Sequence, residues 1–593
     1  MAVNQYFQDE LKYLRELGKE FSEQNPGLSK FLSSQGDDPD VERLFEGFAF
    51  LTGRIRQKLD DELPEITHSL INLLWPNYLS PVPCMSILQF EAIEQALSVK
   101  QTIPRDCEVE SVKVEGTDCK FKSCYDVDMY PISVSDAKTE LRSHGAVLDL
   151  SFELDAGVAS DAMGLDYLRL YLHCDQDRAM AQGLYLWLFN YLETVELSVY
   201  IGGRSKPQKT TLPASCIKPV GFEPEQALLP GDNSTFSGYR LIQEYFQLPE
   251  KFLFFDITEI SELLQQKKIE RFSFRFTFSR QFDQQVRVSK DDFRLFCTPI
   301  VNLYQGSAEP VRIAHQQQDY MLRPQYKNLQ HVEIFSVEEV TGRIKGNPTL
   351  IDYPSFESFE HEVDKSMISE RIFHKIVRKP SVLEEGMDTH ISFVSPIDRH
   401  VELRSETISV TLMCTNRRLA ETLRVGEICH DTGTSPGFAQ FKNITQVTPA
   451  LSPPLQGGLH WRLIANMALH YHSLASVDAL RVLLRYYDFK AFTDRQAQRT
   501  NQQMMKGIED IKVQNVDRIF KGIPVRGLKT TLSMRESQFG SKGHQGEASM
   551  YQFACVLNGY FKQYAQLNTF HRLEVKGLES GETYLWEPKR WGQ

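Results

Sequence analysis

The spacing of apolar positions is helical at the start of this chain. It shifts to a period of two near residue 85 and turns helical again past about residue 459. Phe7, Leu11, Leu14 and Phe21, with Tyr6, Tyr13 and Leu17 beside them, form a helical stripe. Asn25-Pro26-Gly27 stops it. Asp38-Pro39 opens a second helix, with an aspartate cap followed by a proline where no N–H is needed. That helix runs to about Leu63, and Pro64 opens another that ends near 73–83. From Met85 the stretches 86–92 (SILQFEA), 147–154 (VLDLSFEL) and 167–174 (YLRLYLHC) read as strands between turn clusters, in a β-rich region lasting to about Phe282. A second β-rich region holds 331–340 (HVEIFSVEEV), 389–395 (THISFVS) and 406–414 (ETISVTLMC). Helical spacing then returns. Val477, Leu480, Leu483, Leu484 and Tyr487 share one face, and so do Met550, Phe553, Leu557, Tyr560, Phe561 and Tyr564. Strands lie between and after these helices, ending with 571–575 (HRLEV). The expected fold class is α+β, an elongated multidomain protein. Its parts are a helical N-terminal segment (1–83), two β-rich regions (84–285 and 286–458) and an α+β C-terminal region (459–593).

At 593 residues the chain is long enough for about four domains, and 41 % hydrophobic residues allow a large core. The net charge of −12 gives no global reason to expect a nucleic-acid partner, but it is unevenly spread. Residues 1–100 carry a net −7 and residues 481–545 a net +7, which suggests polar contacts between domains or chains as well as plain solvated faces. The ten cysteines include no C-x-x-C pair and match no zinc spacing. The N-terminus lacks the layout of a signal peptide. The most apolar run, 183–192 (GLYLWLFNYL), is half the length of a membrane span. These features predict a soluble cytoplasmic chain with reduced thiols.

Candidate chemistry thins out on inspection. Residues 433–437 (GTSPG) match the nucleophile elbow of serine hydrolases, with Ser435 as the nucleophile. The oxyanion hole of that motif uses the N–H of the next residue, and here that is Pro436, which has none. The residues that follow read as a strand, so a Gly-Pro turn is the better reading. His460, His470 and His472 have no acidic or cysteine ligand at metal-binding spacing. Cys429 and His430 are adjacent in sequence, which does not point a thiol at an imidazole. Residues 540–547 (GSKGHQGE), with Lys542 and His544, precede a helix but lack the pattern of a phosphate or dinucleotide loop. They read as a flexible or partner-ordered loop, and mobility is expected over 537–546. The basic residues of 481–545 interleave with Tyr486, Tyr487, Phe489 and Phe492. A nucleic-acid surface is the alternative there, but these aromatics fall largely on helix faces expected to be core. No catalytic, cofactor or metal set is predicted.

One helix asks for a partner. Residues 46–53 (EGFAFLTG) place two glycines in a helix, each costing about 1 kcal/mol relative to alanine. On a helical wheel Val41, Leu44, Phe45, Phe48, Leu51, Ile55, Leu59 and Leu63 form the stripe expected to face the chain's own core. Phe50 lies opposite, with Gly47 and Gly53 three residues to either side and Arg43 and Arg54 flanking. Glycine lets another backbone approach closely, so this back face predicts a docked element, either a later domain of the chain or another chain.

Longer blocks carry a family resemblance. Residues 38–66 (DPDVERLFEGFAFLTGRIRQKLDDELPEI) and 73–90 (LLWPNYLSPVPCMSILQF) resemble the N-terminal signature of the TssF family, also called VasA or ImpG, a baseplate subunit of the bacterial type VI secretion system. Similar to the same family are 293–313, 331–342, 411–429, 458–469, 518–536 and 546–558, so the resemblance spans nearly the whole chain and is least clear over 95–285. It implies a structural protein with no catalytic residue and no cofactor. Such a protein would pack with TssG, TssK and TssE and with a second TssF copy around the VgrG spike. It would sit in the cytoplasm as part of a baseplate docked at the inner-membrane complex, without inserting into the membrane, and relay the trigger for sheath contraction. The family's N-terminal helices form an intersubunit bundle, which favours another chain as the occupant of the face built by Arg43, Gly47, Phe50, Gly53 and Arg54.

Overall fold

A computed structural model describes residues 7, 11–14, 43–44, 46–54, 68–72, 76–93, 96–155, 164–174, 177–202, 206–231, 238–264, 269–282, 287–313, 319–344, 350–356, 372–381, 386–394, 406–453, 476–520, 522–540, 544–563, 570–587 and 589–590. The fold is mixed α+β, and the chain divides into two compact units. The smaller unit comprises 1–74 with 455–467, and the larger comprises 75–454 with 468–593. Every described residue of the smaller unit is helical. Ala49 and Ile71 are fully buried in it.

The larger unit is built on sheets. A six-stranded sheet runs in the order Ile428–His430, Glu108–Ser111, Lys120–Ser123, Cys297–Val301, Met85–Ala92, Ala439–Asn443. Its strands come from both sides of residue 285, so the chain crosses that position within one core of Leu88, Phe90, Phe121, Ile300, Ile428 and Phe441. The end strands approach each other at one corner, where Asn443 is bonded to the segment leading into Ile428–His430. Gly426 N donates to Asn443 O at 3.0 Å and Ile428 N to Asn443 Oδ1 at 3.0 Å.

Alternation explains the five-stranded antiparallel sheet at whose centre lies Ile269–Phe278. Phe272, Phe274, Phe276 and Phe278 line its buried face, and Phe272 stacks on Phe152 with ring centroids 5.1 Å apart. On the other face Arg275 clasps Asp149 with two bonds of 2.7 and 2.9 Å. A further sheet pairs Glu333–Ile344 with Glu406–Thr415 around Val340, Ile408, Val410 and Leu412.

The C-terminal region joins a long hairpin, Ile508–Phe520 and Ile523–Met534, to the parallel strand Phe570–Gly577 through the helix His544–Lys562. Parallel neighbours need such a crossover. The sequence predicts one apolar stripe on that helix, but Ala548, Tyr551, Cys555 and Val556 are buried as well. The reason is its surroundings: the helices Arg178–Leu186 and Gly238–Gln247 both pack on it, away from the sheet. Both fall in a region whose sequence reads as strand. Gln552, fully buried, is satisfied by Gln182 Nε2 at 2.7 Å and by donating to Pro249 O at 3.0 Å.

Candidate interaction surfaces

The helix around 43–54 is the first candidate; of its expected core stripe Val41, Phe45, Ile55, Leu59 and Leu63 lie outside the described residues, and the other three face outward. Leu44, Phe48 and Leu51 of the expected core stripe are 67, 62 and 61 % exposed. Ala49 and Gly53, roughly opposite on the wheel, are buried. The small residues are what allow close packing inside the unit, and the large apolar side chains are left outside. Phe50 is 46 % exposed and Gly47 is open, with nothing within 4 Å of where a Cβ would stand. Arg43 and Arg54 are exposed. Gly47, Phe50, Arg43 and Arg54 therefore lie on accessible surface, whereas Gly53 does not. Thr52 Oγ1 donates to Phe48 O at 2.8 Å, a local bond within the helix.

The second feature is a clasp on the larger unit, close to where the chain enters it at Trp75 and leaves it at Pro454. Val82 and Leu451 form an isolated antiparallel bridge, with Val82 N donating to Leu451 O at 2.8 Å and Leu451 N to Val82 O at 3.0 Å. Buried Tyr78 packs edge-on against Tyr487 and Phe489, at 6.2 and 5.1 Å between ring centroids, and donates from Oη to Tyr486 O at 3.2 Å. Arg378 donates to Leu79 O and Phe335 O. Burial pulls its guanidinium down to about 10, opposed by the Glu333 carboxylate. Ser80 Oγ donates to the same Phe335 carbonyl at 2.9 Å. Gln247 Nε2, from the helix Gly238–Gln247, reaches Pro449 O at 2.7 Å.

Two buried polar junctions hold the body together. Glu244 and Lys251, both 1 % exposed in their side chains, form an ion pair, and Glu244 Oε1 also accepts from Leu228 N and Leu229 N at 2.8 and 3.0 Å. Glu547, in the first turn of the C-terminal-region helix, accepts from Tyr191 Oη at 2.9 Å, Tyr584 Oη at 2.6 Å and Arg280 Nη1 at 2.9 Å. Burial, followed by the Glu547 charge, pushes the Tyr191 phenol up to about 12.

The sequence's candidate chemistry resolves into architecture. Ser435 Oγ accepts from Thr432 N at 2.9 Å and donates to Glu108 O at 3.1 Å, so it fastens a turn to the strand Glu108–Ser111. Cys429 and His430 are exposed in an edge strand, and the other nine cysteines are buried. Burial drives thiols such as Cys119 up to about 12. His460, His470, His472 and Lys542 lie outside the described residues. The expected mobile loop is partly anchored. Ser537 N and Oγ donate to Glu579 at 2.9 and 2.6 Å, and Gly546 packs so closely on Glu536 O that a side chain would collide with it. Of the basic segment's aromatics, Tyr486, Tyr487 and Phe489 are core, and Phe492 is exposed. Sequence reasoning passed over Tyr78 and Arg378. The only local signal for Tyr78 was its place between Pro76 and Pro81.

A body closed by internal clasps, joined to a separate helical unit that shows four large apolar side chains on one short stretch, is the build of an assembly subunit. The particular assembly follows from comparison with known proteins: the chain belongs to the family described as "Type VI secretion system, TssF", whose model matches residues 2–593. It is 27 % identical to the type VI secretion system component TssF1 of Pseudomonas aeruginosa, over 99 % of this chain and 98 % of that one. A chain of the TssK–TssF–TssG baseplate subcomplex solved by cryo-electron microscopy superposes with a TM-score of 0.77 at 26 % identity, over 93 % of this chain and 99 % of its own. A chain of the type VI baseplate complex shares the fold, with a TM-score of 0.57 at 22 % identity over the full length of both. The family is one of structural baseplate subunits, not of enzymes. Among the described residues no helix is long and apolar enough to cross a membrane.

Proposed function

We propose that this chain is the TssF-type structural subunit of a type VI secretion baseplate wedge, assembling with TssK and TssG. Family membership over the whole chain and the likeness to a chain of the TssK–TssF–TssG subcomplex support this reading. The observation that carries it on the molecule itself is the exposed row Leu44, Phe48 and Leu51. Lone exposed apolar residues are ordinary, but a contiguous apolar row marks an interaction site. In this reading the helical part of the expected segment 1–83 that lies in the smaller unit, 1–74, meets neighbouring chains, while 75–83 are clasped into the body with 84–285, 286–458 and 459–593. Arg43, Gly47, Phe50, Gly53 and Arg54 belong to or border the contact helix. The finer parts of the proposal are contacts with TssE, with a second copy of this chain and with the VgrG spike, cytoplasmic docking at the inner-membrane complex, and relay of the trigger for sheath contraction.

The test is co-expression with tagged TssG and TssK from the same bacterium. The chain should co-purify as a stable complex through gel filtration. Folded chain that elutes alone at micromolar concentration, beside an intact TssK–TssG pair, would sink the reading.

A further inference from the structure

One helix of the C-terminal region carries charge that its own stability does not ask for. Arg495–Gly507 (RQAQRTNQQMMKG) is capped by Asp494, whose carboxylate accepts from Gln496 N at 2.9 Å and Ala497 N at 3.3 Å. The helix packs through Asn501 and Met505, both buried, with Ala497 and Met504 half-buried beside them. Asn501 is held by Asp488, its Nδ2 donating to Oδ2 at 2.7 Å. The opposite side is a narrow line of Arg495, Arg499, Gln502 and Lys506, spaced i, i+4, i+7 and i+11. At about 1.5 Å per residue the line is about 16 Å long. All four side chains are exposed.

This line differs from an ordinary solvated face. The helix itself holds no acid. Arg495 and Arg499 stand four apart, so they repel each other on one face. Both lie toward the N-terminal end, where the backbone dipole favours the opposite charge. The acids on neighbouring elements are already engaged. Asp478 pairs with Arg481 at 3.3 Å, Glu509 with Arg535 and Asp510 with Lys512. Asp488 is buried on Asn501 and Ala491 N. Glu536 accepts from Glu579 N and Ser580 N, and Glu579 from Ser537. Arg495, Arg499 and Lys506 make no ion pair among the described residues, and neither does exposed Arg485. Phe492, 45 % exposed, comes three residues before Arg495.

Unpaired cations in a row select carboxylates or phosphates. The net charge of −12 opposes a long polyanion, and Tyr486, Tyr487 and Phe489 are buried, so no row of aromatics is left on which bases could stack. An acidic protein surface meets neither obstacle. The spacing of the row, a side chain at each turn, matches another helix with carboxylates at each turn. We propose that Arg495, Arg499 and Lys506 form a docking face for an acidic helix of the TssK–TssG pair, with Gln502 bonding between the ion pairs and Phe492 covered at one end. The proposal rests on the wedge reading and adds the face, the partner's charge and its helical form.

The test uses the full chain with purified TssK–TssG. One variant combines Arg495→Glu, Arg499→Glu and Lys506→Gln. A control changes the same amount of charge elsewhere on the surface, with Lys113→Glu, Lys138→Glu and Arg142→Gln. The first variant should melt at or above the wild-type midpoint, because it removes a repulsion and suits the helix dipole. It should bind TssK–TssG about tenfold more weakly at low salt, the gap closing as salt screens it, while the control stays within about twofold of wild type. Amides of 499–506 should exchange more slowly in the wild-type complex than in the lone chain. Unchanged affinity of the folded variant, or an equal loss in the control, overturns the docking face. If the wild-type chain itself ignores TssK–TssG, the wedge reading has failed. The face is then read with two synthetic alanine-rich helices of about twenty residues, carrying Glu or Lys at i, i+4, i+7 and i+11. Binding of the Glu helix alone, lost in the variant, upholds the face. Equal or absent binding of the two overturns it, as does tighter binding of labelled single-stranded DNA than of the Glu helix.

Discussion

Replacing Leu44, Phe48 and Leu51 together by glutamine separates an interface from a core. Glutamine keeps helix propensity close to that of leucine, so the helix itself is little changed. In the lone chain these side chains are about two-thirds exposed, and truncating their apolar surface removes little burial. In a complex that covers them, each would gain about 0.6 of the 1.5–3 kcal/mol that full burial contributes, or about 1–2 kcal/mol. Three such losses come to about 4 kcal/mol, a weakening of about a thousandfold in Kd. The assay is titration of the lone chain with TssG by biolayer interferometry, beside thermal melts of the lone chain. The expected result is a lost complex with a melting midpoint within a degree or two of wild type. A midpoint that falls by many degrees, with binding by the remaining folded protein unchanged, would show that the row packs inside this chain. The back of the helix is tested separately: Gly47→Leu and Phe50→Ala should leave the midpoint unchanged, and either one weakens the complex only if the partner wraps both faces.

The buried ion pair should show strong coupling: Lys251→Met alone costs about 3–5 kcal/mol because it leaves Glu244 charged and unpaired, whereas Lys251→Met with Glu244→Gln costs clearly less. Urea unfolding of singles and double gives the coupling, and additive costs would refute it. Glu547→Gln keeps an oxygen for Tyr191 and Tyr584 but gives up the charge facing Arg280, so it should lower stability by about 1–3 kcal/mol, and adding Arg280→Met should cost little more. Tyr78→Phe keeps the ring contacts with Tyr487 and Phe489 and loses one hydrogen bond, costing about 1 kcal/mol, whereas Tyr78→Ala should cost about 3–5 kcal/mol. Similar costs for the two would mean that the ring does not anchor the clasp. Burial lowers buried His571 from 6.5 to about 3. Its folded pKa is depressed, so its contribution is fully present above pH 6.5 and is lost as the pH falls toward 3. His571→Gln should flatten the decline of the urea midpoint between pH 6.5 and 4, and an unchanged slope would refute it.

What the sequence showed plainly was local. Strands such as Ile269–Phe278 and Glu406–Thr415 alternate because one face is buried, and that pattern survives in any context. The run GLYLWLFNYL hid a helix, Arg178–Leu186 continued by a π-helical turn, because it is covered on several sides and so has no polar face to mark its period. The boundary expected at 285 follows a lull in strand signals, but Met85–Ala92 finds its partners at Cys297–Val301 and Ala439–Asn443, pairings that no local window contains. At the helix around 43–54 the wheel assigned an apolar row to the chain's own core, whereas Leu44, Phe48 and Leu51 of that row are exposed. An apolar stripe says that a face wants covering, not whose surface covers it. The clue was in the small residues, since Ala49 and Gly53 are the pair that fits against the chain's own fold.

The clasp at Tyr78 bears on the proposed relay. Val82 and Leu451 lie within a few residues of where the chain enters and leaves the larger unit, and they are bonded to each other. A displacement carried by either linker therefore reaches the body at the same bridge. There it meets Arg378 on Leu79, Ser80 on Phe335 and Tyr78 on Tyr486, which lie on different elements of the body. Beyond the clasp, Gln247 leads into the helix whose Glu244 pairs with Lys251, and that helix packs on His544–Lys562, where Glu547 ties Tyr191 to Tyr584. Each link is buried and well bonded, so bending any one of them would leave polar groups unsatisfied at a cost of about 1–3 kcal/mol apiece. In the proposed relay the body would accordingly move as one piece.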